Sequence, residues 1–100
     1  MAWTINYHPD VEQDLLSLGR TEARAILKVI EERIAQGEPN KLGKPLAGEL
    51  LGCRRIRTGQ TRIVYRVDGG RIEVLIIVIG MRRNNEIYDT ASSRIDSPHQ

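Results

Sequence analysis

Cysteine and long apolar stretches are almost absent from this chain of 100 residues. The single cysteine, Cys53, cannot form an internal disulfide or a cysteine-based metal site, which points to a reducing cytoplasm. The longest apolar run, Val74 to Ile79, is six residues, whereas a membrane-spanning helix needs about 18. The first residues lack the basic start and apolar core of a signal peptide. We therefore expect one cytoplasmic domain over residues 1–100, away from membranes, with a frayed tail over about 96–100.

Motifs for cofactor chemistry are also missing from the sequence. It has no Gly-rich phosphate loop, no His-x-Glu pair, no cluster of metal ligands and no serine with a plausible histidine base. We therefore predict neither a metal ion nor an organic cofactor. Any chemistry has to come from arginines and a few polar groups.

Basic charge is concentrated in the middle of the chain. Residues 1–40 carry four basic and seven acidic side chains, and residues 84–100 carry one basic and three acidic. Residues 41–83, in contrast, carry ten basic and three acidic side chains. A concentrated basic patch is typical of proteins that bind polyanions, and it also suits an acidic protein partner.

The segment 54–66 predicts a β-hairpin. Its two-residue turn is Gly59-Gln60, because glycine suits the first central position of a type II′ turn. Side chains alternate along a strand, so Arg55, Arg57 and Arg62 would share one face, with Arg57 directly opposite Arg62. Like charges in that position are unfavourable, but guanidinium groups bind phosphate with paired hydrogen bonds. The alternative is a solvated sheet face on which the charges splay apart.

The remaining pattern predicts an α+β fold of order β-α-α-β-β-β, followed by a short C-terminal element. A strand over residues 3–7 precedes a helix that ends at Gly19 and a second helix capped by Thr21. The loop 38–52 contains a short helical turn, and Arg71 to Ile79 is a strand buried on both faces. We expect the helical hairpin to pack on a small, twisted, mostly antiparallel sheet.

Two residues beyond the last strand can join the hairpin arginines. Arg82 lies in a basic loop, 81–85, and Tyr88 lies in the element that follows from Glu86, a short strand or the start of a last helix. Together these groups could bind a phosphodiester and stabilise the charge that develops when RNA is cleaved by its own 2′-hydroxyl. Tyr88 could stack on a base or assist proton transfer. The structural alternatives are a solvated loop for Arg82 and a cover for the core edge for Tyr88. Further basic side chains are predicted to bind RNA or phosphate: Arg54, Lys41, Lys44 and Arg83.

Several segments resemble the RelE toxins of bacterial type II toxin–antitoxin systems, which belong to the RelE/ParE superfamily. The specific parts are the pattern R-x-V-Y-x-V within the strand Thr61 to Val67 and the ending I-G-x-R-x-x-x-x-x-Y from Ile79 to Tyr88. The segments Lys44 to Leu50 and Arg54 to Arg57 also match. The resemblance covers about residues 3–95.

The resemblance implies a RelE-like fold and a ribosome-dependent mRNA endonuclease, or mRNA interferase, that cuts the codon in the ribosomal A site and stops translation. The family's catalytic positions fall on Arg62 and Arg82, which would stabilise the transition state, and on Tyr88, which would position the RNA. They also fall on Arg55 and Arg57, where the best-known member has lysines. An arginine stays protonated. Three interpretations follow. A substrate-side or ribosomal group is the general base, or Tyr88 is the general base, or Arg55 and Arg57 only bind phosphate.

The resemblance also implies partners. A RelB-like antitoxin, partly disordered when free, would cover the basic site and displace the C-terminal element, and the complex would bind operator DNA mainly through the antitoxin. The first alternative is a ParE-type toxin, which shares the fold but inhibits DNA gyrase; such chains usually lack the full set of site residues. The others are a non-catalytic module that binds nucleic acid or an acidic protein, and a decayed toxin without activity.

Overall fold

The computed structural model describes residues 2–96, where helices cover both faces of one five-stranded sheet. The strand order is β1-β5-β4-β3-β2; β1 and β5 run parallel, and the other neighbouring strands are antiparallel. This confirms the predicted α+β fold. The strands are β1 (Thr4–Tyr7), β2 (Lys44–Pro45), β3 (Cys53–Thr58), β4 (Thr61–Asp68) and β5 (Glu73–Gly80). The helices are α1 (Val11–Leu18), α2 (Arg20–Val29), which continues as a π-helical turn (Ile30–Ala35), and α3 (Asn84–Asp96). Residues 97–100 of the predicted tail lie outside the described residues.

The helical hairpin formed by α1 and α2 turns at one glycine. Gly19 ends α1 with a φ of 89°, a conformation that glycine adopts without a steric penalty. Because the chain reverses direction at this residue, α2 begins immediately at Arg20. The prediction that Thr21 caps α2 was therefore wrong, since Thr21 already lies inside the helix.

The hairpin formed by β3 and β4 has the predicted register. Arg57 is paired with Arg62, Ile56 with Ile63, and Thr58 with Thr61. Gly59 has a φ of 61°, whereas Gln60 has no positive φ, as a type II′ turn requires. The short-range pattern of the sequence was sufficient here because a two-residue turn fixes the register of both strands.

The strand β5 is buried on both faces, as predicted, but it begins two residues later than expected. Ile72 has a φ of 55°, in the left-handed region that a β-branched side chain disfavours, and this residue separates the turn from the strand. Val64 pairs with Val78 while its neighbour Tyr65 pairs with Ile76, so Ile77 is an extra residue in a β-bulge.

The loop 38–52 contains the predicted helical turn, a 3₁₀ turn over Gly48–Leu50. It also contains the edge strand β2, which was not predicted, where Lys44 pairs with Arg55 and Pro45 with Arg54. Proline is compatible with an edge strand because its missing N–H can face solvent. The C-terminal element is a helix that begins at Asn84, so the predicted basic loop 81–85 is shorter than expected.

Two apolar clusters lie on opposite faces of the sheet. We call the sheet face covered by α1 and α2 the helical face, and the opposite face, which α3 partly covers, the arginine face. The buried cluster on the helical face consists of Val11, Ile26, Ile30, Ile34, Ile56, Ile63, Tyr65, Val74, Ile76 and Ile79. The cluster under α3 consists of Leu50, Cys53, Val64, Ile77, Val78, Ile87 and Ala91.

No helix within residues 2–96 is long and apolar enough to cross a membrane.

Candidate anion-binding site on the arginine face

A cross-strand row of residues at the open end of the sheet carries opposed arginines. Arg57 on β3 stands directly opposite Arg62 on β4, and Arg62 is in turn paired with Gly80 on β5. Directly opposite side chains in a sheet lie close together, and like charges there are destabilising. Gly80 adds no side chain to this row, and a Cβ at that position would meet only the backbone nitrogen of Arg82, at 3.9 Å. The row therefore places two guanidinium groups beside an open strip of backbone.

The neighbouring row extends the basic surface. Lys44 on β2 pairs with Arg55 on β3, and Arg55 pairs with Val64 on β4. Paired residues project from the same face, so Lys44 and Arg55 lie on the arginine face beside Arg57. Val64 belongs to the apolar cluster under α3. The basic surface thus begins where the cover provided by α3 ends.

Hydrogen bonds connect the hairpin to the chain that leaves β5. The Nη1 of Arg62 donates to the backbone oxygen of Arg82, at 2.9 Å. The Nη1 of Arg82 donates to Oγ1 of Thr90 on α3, also at 2.9 Å, and this hydroxyl donates to the backbone oxygen of Glu86. The structure therefore brings Arg62 and Arg82 together, and α3 holds the guanidinium group of Arg82.

Tyr88 lies in the second turn of α3, on the same side of the sheet as the arginines. Its ring packs against the apolar cluster under α3 and is half-buried. Its hydroxyl is enclosed by protein atoms and has no hydrogen-bond partner among the described residues. The phenol is therefore part of the boundary between apolar cover and basic surface, and its oxygen does not face solvent.

Arg54 is separated from the other arginines because it points to the helical face. It pairs with Tyr65 across β3 and β4. Its Nε donates to the backbone oxygen of Leu42, at 2.6 Å, and its Nη2 to that of Gly43, at 3.3 Å. The hydroxyl of Tyr65 donates to the backbone oxygen of Pro39, at 3.0 Å. Burial raises the pKa of Tyr65 to about 12, although Arg54 partly opposes this shift.

The structure therefore assigns Arg54 to the support of the loop after α2, and two other predicted binding residues also lie apart from the opposed arginines. Lys41 is exposed in that loop and forms an ion pair with Glu38, at 3.4 Å. Arg83 is exposed at the start of α3, where its backbone oxygen accepts a hydrogen bond from the N–H of Ile87, at 2.9 Å. The side chains that the arginine face brings together are Lys44, Arg55, Arg57, Arg62 and Arg82.

This arrangement is suited to an anion with several charged oxygens. Guanidinium groups bind phosphate oxygens with paired, charge-assisted hydrogen bonds, and they remain protonated at any working pH. Within residues 2–96, no group of three or more His, Cys, Asp and Glu side chains could hold a metal ion. The described side chains can therefore neutralise negative charge on a phosphodiester, but the arginines cannot act as general bases.

Sequence reasoning missed three residues that organise this region: Thr90, Asp14 and Arg94. The guanidinium group of Arg94 forms two hydrogen bonds with the carboxylate of Asp14, at 2.7 and 2.9 Å. A signal for this pair was present in the sequence, since Asp14 is three residues after Val11 and Arg94 three after Ala91, within the apolar stripe of each helix. Thr90 had no comparable signal.

Comparisons with known proteins agree with this description. The sequence model of a family described as the ParE toxin of the type II toxin–antitoxin system parDE matches residues 5–86. Toxin RelE of Mycobacterium tuberculosis is 46% identical over 44 residues, which cover 44% of this chain and 45% of that protein. Toxin RelG of the same organism is 29% identical over 82 residues, which cover 82% of this chain and 93% of that protein. The chain thus matches less than half the length of the first relative and nearly all of the second.

Two solved structures are also similar. One is a chain of the toxin–antitoxin complex RelBE2 of Mycobacterium tuberculosis, with a TM-score of 0.74 and 28% identity. The match covers 82% of this chain and 100% of that chain. A mutant of the E. coli toxin RelE in the free state has a TM-score of 0.76 and 25% identity, and it covers 95% of this chain and 99% of that one. The fold is therefore RelE-like. With a family match that extends over most of its length, this chain belongs to the RelE/ParE family and is a toxin of a type II toxin–antitoxin system.

Proposed function

We propose that this toxin is a ribosome-dependent endoribonuclease that cleaves mRNA in the ribosomal A site and thereby inhibits translation in the cytoplasm. RelE-family toxins are known as endoribonucleases. The observation that carries the proposal is the opposition of Arg57 and Arg62, together with the hydrogen bond from the guanidinium group of Arg62 to the backbone oxygen of Arg82. This arrangement disfavours folding but suits a phosphodiester, and such conflicts between local stability and sequence are expected at functional sites.

The proposed reaction uses the RNA 2′-hydroxyl as the nucleophile. Its oxygen forms a bond to the adjacent phosphorus while the bond from phosphorus to the 5′ oxygen breaks; one proton leaves the 2′-hydroxyl and one reaches the 5′ oxygen. Arg62 and Arg82 would stabilise the charge on the non-bridging oxygens, and Arg55 and Arg57 would bind phosphate. The ring of Tyr88 would position the RNA.

The proton transfers need groups other than the arginines. Arg55 and Arg57 cannot release a proton at neutral pH. The hydroxyl of Tyr88 is enclosed under α3, so it does not reach a substrate on the arginine face unless α3 moves. We therefore assign the general base to the substrate or to the ribosome, and to this chain the binding of phosphate and the stabilisation of charge. This division of roles gives a physical reason for ribosome dependence.

We further propose a RelB-like antitoxin as the protein partner. The similar RelBE2 structure is a toxin–antitoxin complex. In this chain, residues 41–83 carry ten basic and three acidic side chains, so an acidic antitoxin segment would find complementary charge on the arginine face. Operator DNA would be bound by the complex, mainly through the antitoxin.

A second candidate function is inhibition of DNA gyrase. The observation in its favour is that the matching family model is described by the ParE toxin and the parDE system. A gyrase inhibitor would use the arginine face as a protein-binding surface and would not need the link between Arg62 and Arg82. Supercoiling assays with purified gyrase separate this candidate from the nuclease.

The decisive experiment is primer extension on mRNA programmed into ribosomes. Wild-type toxin is expected to produce discrete cuts in the A-site codon, and Arg62→Ala is expected to lose them, since removal of one transition-state donor costs about a hundredfold or more. Arg66→Ala is the matched control, because Arg66 is an exposed arginine on the same face of β4, about 13 Å from Arg62 along the strand. Growth arrest by the wild type without any cuts would exclude the nuclease, and the gyrase assay would follow.

A further inference from the structure

A largely buried ion pair, separate from the opposed arginines, connects the first and last helices of the chain. Asp14 on α1 and Arg94 on α3 are 80 residues apart, and their guanidinium and carboxylate groups share two hydrogen bonds, at 2.7 and 2.9 Å. Their side chains are only 7% and 12% exposed, respectively. Paired hydrogen bonds of this kind allow only one relative orientation of the two groups.

Both members of the pair also bind the backbone of β5, at the point where β1 no longer covers its edge. The strand β1 pairs with β5 only as far as Ile76. Beyond this residue, the N–H of Ile79 donates to Oδ2 of Asp14, at 3.0 Å, and the oxygen of Ile77 accepts from Nη1 of Arg94, at 2.9 Å. Ile77 is the extra residue of the β-bulge. The pair therefore joins α1, β5 and α3 in one hydrogen-bonded unit.

The apolar contacts of α3 do not determine its position as strictly. Ile87 and Ala91 pack on the apolar cluster beneath the helix, and apolar contacts are non-directional. Arg94 lies in the last turn of the same helix, with Tyr88 and Thr90 one to two turns before it. The pair thus sets the rotation and translation of a helix that also holds Arg82 through Thr90.

Stability alone does not explain an ion pair at this place. Apolar side chains of similar volume often stabilise a buried site as well as an ion pair does, because removing two charges from water is costly. An ion pair differs from apolar packing in its specificity for one geometry. This difference matters for a helix that supplies parts of the site.

We propose that Asp14 and Arg94 are positioning residues, whose ion pair fixes α3 on the sheet and so holds Tyr88 and Thr90 at the edge of the arginine face. The part of this proposal that concerns cleavage rests on the proposed nuclease function. The part that concerns the position of α3 does not, because it follows from the contacts of the pair with β5.

The position of α3 is tested by native-state hydrogen exchange of purified toxin. In Arg94→Gln the amides of α3 are expected to exchange at least about tenfold faster, while those of α2 change little, since breaking a buried pair releases the element that it holds. Asp14→Asn keeps an acceptor for the N–H of Ile79 and provides a second variant if Arg94→Gln does not fold. Arg71→Gln is the control, because Arg71 forms an exposed ion pair with Glu73 away from α3. Equal acceleration in α2 and α3, or none, would overturn the proposal.

The link to cleavage is tested by a double-mutant cycle on programmed ribosomes. Arg94→Gln alone is expected to lower kcat about tenfold, but less than about twofold when Tyr88→Ala and Thr90→Val are already present, because it acts through these residues. Equal factors in both backgrounds would contradict a positioning role. If wild-type toxin makes no cuts, the nuclease function fails, whereas hydrogen exchange still decides whether the pair fixes α3.

Discussion

The two faces of the sheet use the same strands for opposite purposes. On the helical face, Ile56 and Ile63 of the hairpin join a continuous apolar cluster that α1 and α2 cover. On the arginine face, α3 covers only the part near Val64, and the next row carries Arg57 opposite Arg62. Alternation along each strand separates the two faces, so one hairpin contributes both to the core and to a surface of concentrated positive charge.

The arginines on the two faces differ in the groups that they contact. Arg54 and Arg55 are neighbours in sequence, but Arg54 points to the helical face and donates to the backbone oxygens of the loop after α2. Arg55 points to the opposite face, in register with Lys44. The arginine on the helical face thus stabilises the fold through its hydrogen bonds, whereas the arginines on the arginine face lie beside one another. This difference supports the proposal that the second group binds phosphate.

The largest expected effect comes from removing one arginine from each face. Arg57→Leu is expected to lower kcat/KM for mRNA cleavage by about tenfold to a hundredfold through the loss of a phosphate contact, while the free energy of unfolding stays constant or rises by a few tenths of a kcal/mol as repulsion with Arg62 is relieved. Arg54→Leu is expected to do the opposite, with a loss of roughly 1–3 kcal/mol of stability and an unchanged rate per folded molecule. Urea denaturation and single-turnover cleavage measure the two quantities. Equal losses of activity would abolish the distinction between the faces.

The next effect concerns Tyr65 on the helical face. Its pKa of about 12 in the folded protein exceeds the value of about 10 in an unfolded chain. The protonated phenol is therefore favoured by folding, and its contribution of roughly 2–3 kcal/mol is present below pH 10 and is lost as the pH rises from 10 to 12.

This contribution can be measured with Tyr65→Phe. At pH 8 the variant is expected to be less stable by about 1–2 kcal/mol, because the buried oxygen of Pro39 loses its donor. As the pH rises from 10 to 12, only the wild type loses the contribution of this phenol, so the two stability curves converge and then cross. Thermal denaturation at a series of pH values measures both curves, and parallel curves would contradict the assignment.

The smallest expected effect comes from filling the strip beside the arginines. Gly80→Val adds a side chain in register with Arg62 at a position without a positive φ and with open space around a Cβ. The variant should fold normally but cleave about tenfold more slowly, since the added side chain occupies space that a phosphate needs between Arg62 and Arg82. Gly69→Val in the exposed turn after β4 is the control, because a Cβ at Gly69 meets no other atom within 4 Å and Gly69 does not have a positive φ. Unchanged cleavage by Gly80→Val would place the phosphate elsewhere.

Local patterns in the sequence determined much of the fold and the register of the site. The Gly59-Gln60 turn and strict alternation were enough to place Arg57 opposite Arg62, because both depend only on neighbouring residues. The helical hairpin and the doubly buried β5 followed in the same way from apolar periodicity. Errors occurred where a single residue controlled a boundary: Gly19 starts α2 earlier than Thr21 suggested, and Ile72 delays β5.

Only the tertiary structure decided which residues act together across the chain. It moved Arg54 out of the predicted group, placed Lys44 beside Arg55 through an unpredicted edge strand, and bonded Arg82 to Thr90. It also brought Asp14 to Arg94 across 80 residues. In the sequence, Asp14 and Arg94 each lie within an apolar helical stripe, but this pattern does not indicate which residue a buried charge will pair with. The partner of a buried charge is set by which helices lie against the same strand edge, and that depends on long-range packing of the whole sheet.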